Sequence, residues 1–226
     1  MSRCAPRLPR RPDAVFFDVD GVLLDSLPPH LAFCRDKAAA YGLDVAVPDA
    51  AAFKALARGG TKISPMREFL TATGFPPHAA ERAAAEYADF SRAYRSEVFP
   101  GAQALLDGLA GAGTHLGLVT ANIRANVVPP LGAAWRSFDP DCAFFHDDHP
   151  DAPRPKAWCL SEGARRLGLE PSRCAYVGDQ FSDAAAAAEA GMPFLGAAWG
   201  WVVSPDDEGW PVAATPAEAL LSLLNV

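Results

Sequence analysis

A short apolar run, Ala14-Val15-Phe16-Phe17, stops at two carboxylates one residue apart, Asp18 and Asp20. Preceded by Pro12-Asp13 and closed by Gly21, it predicts a central strand covered on both faces, because a half-exposed strand would alternate apolar with polar. A strand would point Asp18 and Asp20 the same way, whereas Gly21 predicts a sharp turn that lets them take different jobs. After Asp25-Ser26, a candidate helix N-cap, residues 30–41 are alanine-rich, spaced as a helix and closed by Gly42. Helical patterns follow over 49–57, 64–73 and 78–95, with breaks at Gly59-Gly60, Gly74 and Pro76-Pro77. Nothing between 27 and 97 alternates like a strand, so this stretch predicts an all-helical insertion with its own small core.

From Gly101 onward helix and strand alternate. The pattern predicts helix 101–112, strand His115–Thr120, a helix from Asn122 that Pro129-Pro130 interrupt, and strand Ala143–Asp147. Helix Ala157–Leu167, strand Cys174–Asp179, helix Ser182–Ala190 and strand Pro193–Ala198 follow, then an edge-strand candidate Pro211–Ala214 and a terminal helix Pro216–Leu224. This is an α/β pattern, a Rossmann-like parallel sheet with right-handed crossovers. Three strands end in polar residues on one edge: Asp18 with Asp20, Thr120 before Ala121-Asn122, and Asp179 before Asp183. For Asp18 and Asp179 to share a metal ion their strands must be neighbours, which implies the order 3-2-1-4-5 and a switch point between the first and fourth strands. The expected division is a core of 13–25 plus 98–226, a helical cap of 26–97 and a flexible tail of 1–12.

At 226 residues, 50% hydrophobic and 21% charged, the chain is long enough for a large core. A net charge of −7 weighs against a nucleic-acid groove and favours a small-molecule partner. The five cysteines are scattered and never spaced Cys-x-x-Cys, which argues against a disulfide framework or a zinc site. No apolar run reaches membrane-spanning length and the N-terminal stretch lacks the apolar segment of a secretory signal, so a cytoplasmic protein, monomer or homodimer, is expected.

Asp18, Asp20, Asp179 and Asp183 gathered in one crevice would repel one another, and a divalent cation resolves this. All-oxygen ligands of carboxylate type suit Mg²⁺. Thr120 and Asn122, with backbone N–H groups at the start of the next helix, are donors for an anion. Arg154 and Lys156, just before a helix, are the candidate cations.

Asp18-Val19-Asp20-Gly21-Val22-Leu23-Leu24-Asp25-Ser26, the strand-ending Thr120, a basic residue before a helix, and Gly178-Asp179-x-x-x-Asp183 resemble the four ordered motifs of the haloacid dehalogenase superfamily, spanning about residues 14 to 199. The helical insertion resembles the cap of the phosphoglycolate phosphatase and β-phosphoglucomutase branch, and Ala198-Trp199-Gly200-Trp201 is similar to a segment of the phosphoglycolate phosphatase-like members. The resemblance implies a Mg²⁺-dependent phosphatase of a small phosphorylated metabolite, phosphoglycolate first. Asp18 would be the nucleophile that forms an aspartyl-phosphate, Asp20 the acid and base. Asp18, the Asp20 carbonyl, Asp179 and Asp183 would serve the metal, and Thr120, Ala121 and Asn122 the phosphate. A phosphomutase with the same chemistry is the runner-up, and a noncatalytic binding domain is a third reading that intact Asp18 and Asp20 oppose. Haloacid dehalogenation needs no metal and is disfavoured by the acidic set. The family's Lys-Pro pair falls by spacing on Arg154-Pro155; lysine chemistry favours Lys156 beside a nucleophile, with Arg154 kept open.

Arg58 and Lys62 form a two-cation loop where family caps present substrate-selecting residues, and a solvated loop fits that stretch equally. Its Gly-x-x-Lys spacing also resembles phosphonoacetaldehyde hydrolase, which matches this chain poorly at Asp20. The five histidines lack ligand spacing, His146-Asp147-Asp148-His149 reads as a polar strand-end loop, and Trp199, Trp201 and Trp210 read as packing residues.

Overall fold

A computed structural model describes residues 8–149 and 154–225. In chain order the elements are β1 (Ala14–Phe17), β2 (Leu24–Asp25), α1 (Leu27–Ala40), α2 (Ala50–Arg58), α3 (Met66–Ala72), α4 (Pro77–Glu86), α5 (Phe90–Ala93) and β3 (Glu97–Val98). They continue with α6 (Ala102–Gly111), β4 (His115–Val119), α7 (Arg124–Leu131), β5 (Ala143–Phe144), α8 (Lys156–Arg166), β6 (Cys174–Gly178), α9 (Phe181–Glu189), β7 (Phe194–Ala197), β8 (Val212–Ala213) and α10 (Pro216–Leu224).

The main sheet is parallel, with order β5-β4-β1-β6-β7-β8. This is the expected 3-2-1-4-5 order, with the candidate edge strand added as the sixth. All four residues of β1 are buried, as a strand covered on both faces requires. Val15 and Phe17 join α6, α7 and α10 in one apolar cluster, while Ala14 and Phe16 join α8 and α9 in another. The period of two along β1 thus divides the core into two layers.

Helices α1–α5 build a third cluster around Leu27, Phe33, Phe53, Phe69 and Phe90, to which a loop after β7 contributes Trp201 and Val202. The two connections to this insert are paired: β2 and β3 form an antiparallel ribbon, Leu24 opposite Val98 and Asp25 opposite Glu97. Backbone hydrogen bonding therefore fixes where the insert leaves and rejoins the sheet.

Several local expectations are corrected. Ser26 occupies the N-cap of α1 without a side-chain cap bond, because the second and third helical residues are Pro28 and Pro29 and offer no N–H to accept from. Pro129 and Pro130 do not interrupt α7, which runs through them to Leu131. They fall in its last turn, and the carbonyl of Ala125, which a residue other than Pro129 would have bonded, accepts from the Ser91 hydroxyl at 2.8 Å. β5 stops at Phe144 because the Asp148 carboxylate accepts from Phe145 N at 2.8 Å and that of Asp147 from Arg124 N at 2.9 Å, turning the chain away. Of the segment 1–12, residues 1–7 lie outside the described residues. Leu8 is buried in the core, however, and Arg11 donates to the Ala112 carbonyl, so the packed chain begins before Asp13.

Candidate active site

β1, β4 and β6 end level with one another, and Asp18, Thr120 and Asp179 directly follow them on one edge of the sheet. One ligand atom each from Asp18, Asp179 and Asp183 lies within 4.8 Å of the others, and all three residues are buried. Lys156, the first residue of α8, places its ammonium 2.9 Å from Asp18 Oδ2 and 2.7 Å from Asp183 Oδ1. The fully buried Tyr176 hydroxyl lies 3.3 Å from the same Asp183 oxygen.

Backbone without side chains makes this crowding feasible. Gly21, at φ +83°, turns the chain beside Asp179, and a Cβ there would stand 2.2 Å from Asp179 Oδ2. A Cβ on Gly200 would stand 2.4 Å from Asp179 Cβ. Between them, Trp201 N donates to Asp179 Oδ2 at 2.7 Å, while Asp179 Oδ1 is buried with no partner among the described residues.

The electrostatics follow from burial. Desolvation pushes the Asp18 carboxyl up to about 7, opposed by the Lys156 cation and reinforced by Asp183. Burial, then Asp183 and Asp18, raise Asp179 well above the carboxylate range. Burial opposes charge on Lys156, but the Asp18 and Asp183 carboxylates override it and hold the ammonium well above its ordinary value. Among the described residues, three buried carboxyl groups share one cation, and an oxygen of Asp179 has no partner. A hard divalent ion fits that all-oxygen donor set.

The turn at Gly21 separates the two leading aspartates. Asp18 faces Lys156, whereas Asp20 Oδ2 accepts from Asn122 Nδ2 at 2.9 Å and its Oδ1 has no partner among the described residues. Thr120 Oγ1 accepts from Asn122 N at 3.0 Å, which leaves its own hydroxyl proton to donate. Asn122, expected at the phosphate, thus also holds Asp20.

Asp18, Asp20, Thr120, Ala121, Asn122 and Lys156 all border a cavity of about 370 Å³ between the sheet edge and the helical insert. Arg154 is exposed, stacks over Trp158 at 5.1 Å and borders a side cavity of about 70 Å³ that also touches Thr120 and Lys156. Arg58 points elsewhere: it donates to the Val202 carbonyl and pairs with Asp207 at 3.0 Å. Lys62 is exposed and does not border the cavity.

Sequence reading missed His30, Tyr87, Asn126 and Tyr176. His30 Nδ1 donates to the Ser26 carbonyl at 2.5 Å, so Nε2 is the unprotonated nitrogen and accepts from the Tyr87 hydroxyl at 2.7 Å. Burial holds its imidazole below the usual range, and the amides of Asn122 and Asn126 lie beside Tyr87. Asn126, 2% exposed, donates to the Tyr87 carbonyl at 2.8 Å and accepts from Ser91 N at 3.0 Å, clamping the insert to α7. The buried stripe Leu27, His30, Leu31, Cys34 has helical spacing and was a signal for His30; Asn126 and Tyr176 had none. Trp199, read as packing, also donates from Nε1 to the Val22 carbonyl at 2.9 Å.

A family model for haloacid dehalogenase-like hydrolases matches residues 12–191. A phosphoglycolate phosphatase of Xylella fastidiosa is 35% identical over 199 residues, covering 84% of this chain and 82% of that protein. An N-acetylmuramic acid 6-phosphate phosphatase of Pseudomonas aeruginosa is 30% identical over 211 residues, covering 86% of this chain and 84% of its own. A haloacid dehalogenase-like family protein from Streptococcus pneumoniae shares the fold with a TM-score of 0.73 at 24% identity, covering 92% of this chain and 96% of that structure. With the ordered acidic motifs meeting on one sheet edge and the family match spanning most of the sequence, the chain belongs to the haloacid dehalogenase-like hydrolase family.

Proposed function

We propose that the protein hydrolyses a small phosphomonoester at this sheet edge, with Asp18 as nucleophile. The convergence of Asp18, Asp179, Asp183 and the Lys156 ammonium on one cavity carries this reading. Relatives named for phosphoglycolate and for N-acetylmuramic acid 6-phosphate both support phosphomonoester hydrolysis.

Asp18 attacks phosphorus and displaces the alcohol, and a water then cleaves the aspartyl-phosphate, so one difficult displacement becomes two easier ones. Lys156 holds Asp18 in place and favours its ionised form against the burial that raises this carboxyl to about 7. Asp20, anchored through Oδ2 by Asn122, has Oδ1 free to protonate the leaving alkoxide and later to take a proton from water; such help is worth about 10²–10⁴ in rate. The Thr120 hydroxyl donates to a phosphate oxygen. Asp18, Asp179, Asp183 and the Asp20 carbonyl would hold Mg²⁺, which when bound supplies charge neutralisation between phosphate and nucleophile. The insert 26–97 acts as the cap that excludes bulk water.

Turnover of p-nitrophenyl phosphate with release of inorganic phosphate, dependent on Mg²⁺ and lost in Asp18→Asn, is the expected result. A metal-independent rate, or an Asp18→Asn protein as active as the wild type, would sink the proposal.

A further inference from the structure

The side of the cavity contributed by the insert is mainly apolar, with His30, Ser64 and Arg67 as its polar members. Ile63, Pro65, Met66, Phe69 and Tyr87, with Trp201 from the core loop, border the same cavity as the carboxylates. The cations that border it or lie on the nearby elements are engaged or largely exposed. Lys156 is committed to Asp18 and Asp183, Arg58 to Asp207, and Lys54 to the Gly200 carbonyl at 2.7 Å. Arg67 is the one cation of the insert among the described lining residues; it pairs with Glu68 at 2.8 Å and its side chain is 58% exposed.

A two-carbon phosphorylated acid carries its carboxylate two bonds beyond the ester oxygen. That charge would lie against Ile63, Phe69 and Trp201, and among the described lining residues the insert sets only Arg67, already paired with Glu68, near it; burying a carboxylate without a full partner is costly. Such a molecule also offers a single methylene to the accessible part of this wall, Pro65 and Met66. The cavity, about 370 Å³, holds roughly twelve waters at about 30 Å³ each, more than the nine non-hydrogen atoms of phosphoglycolate occupy. One further demand is visible: Trp201 is 6% exposed and its buried Nε1–H has no acceptor among the described residues. Ser64, Gln180 and Ser182 border the same space and suit hydroxyl groups.

We propose that the insert forms a leaving-group subsite for a ring-sized alcohol with an apolar face and a hydrogen-bond acceptor, the chemistry of an N-acylated hexose phosphate, in preference to a two-carbon acid. This rests on the phosphatase reading above. Met66, half-buried at the start of α3, contributes to this wall as a specificity-determining residue.

The test compares kcat/KM of the full chain with Mg²⁺ for N-acetylglucosamine 6-phosphate and for phosphoglycolate, with p-nitrophenyl phosphate as the general substrate. A preference for the sugar phosphate of tenfold or more, narrowed about tenfold by Met66→Ser, is expected. Equal or better use of phosphoglycolate overturns the subsite while p-nitrophenyl phosphate turnover keeps the phosphatase reading intact. Should no ester be turned over, that reading fails by itself, and calorimetry on Asp18→Asn still decides the subsite: tighter binding of the sugar phosphate upholds it, equal or weaker binding rejects it.

Discussion

Replacing Lys156 by methionine removes the one cation among three buried carboxyl groups while keeping most of the side-chain volume. At 2.9 Å from Asp18 and 2.7 Å from Asp183, each pair has a gross attraction of about 6 kcal/mol at an effective dielectric of about 20. Several kcal/mol are regained because the ammonium no longer has to be desolvated, and the usual net loss on breaking such a buried pair is about 3–5 kcal/mol. For a chain of 226 residues this lowers Tm by about 6–20 °C, read by scanning calorimetry of the metal-free protein at pH 8. The sign with pH is fixed. Lys156 lowers the Asp18 pKa, so without it Asp18 keeps its proton to well above the wild-type value of about 7. The deficit is therefore largest above pH 7 and shrinks toward pH 5, where both proteins carry a protonated Asp18. Turnover should fall by about 10²–10³, as when a preorganised charge-stabilising donor is lost. A deficit below about 1 kcal/mol at pH 8, or one that grows on acidification, would refute the electrostatic reasoning. Near-normal turnover would move the catalytic role to Arg154, whose own Ala variant should otherwise keep its rate within a few-fold.

The metal-free enzyme should tighten on Mg²⁺ steeply with pH. The Asp18 pKa, raised from 3.8 to about 7, means that the folded chain holds a proton the unfolded chain has lost; this group's contribution to stability falls by about 1.4 kcal/mol per unit between pH 4 and 7. Cation binding displaces that proton, so affinity should weaken about tenfold per unit below pH 7, and a Mg²⁺-induced Tm shift equal at pH 5.5 and 8 would contradict it. Gly200→Ala puts a methyl group 2.4 Å from Asp179 Cβ and 2.5 Å from the Gly21 carbonyl, and should cost about 1–3 kcal/mol in urea unfolding and weaken Mg²⁺ binding. Asn126→Leu leaves Ser91 N–H without its acceptor and takes one of two donors from the Tyr87 carbonyl, which keeps the Phe90 N–H, at about 1–3 kcal/mol for the unpaired N–H; an unchanged melt would show that the clamp between α5 and α7 carries no load.

What the sequence by itself determined was the repeating part of the protein. The apolar run at β1, the alternation after Gly101 and the polar residues closing three strands set the sheet, its order and the edge where the acidic residues gather, because burial periodicity and strand-end polarity are local properties. The helical character of 27–97 was legible for the same reason. The tertiary structure decided which cation faces Asp18: spacing pointed to Arg154 and lysine chemistry to Lys156, and the way α8 starts after Pro155 brings Lys156 between two carboxylates. It also decided that Arg58 bonds to a loop 149 residues away, and that Asn122 and Asn126 serve Asp20 and the insert. These contacts join residues far apart in the chain, and no local pattern of polarity encodes the direction in which a side chain meets a distant partner.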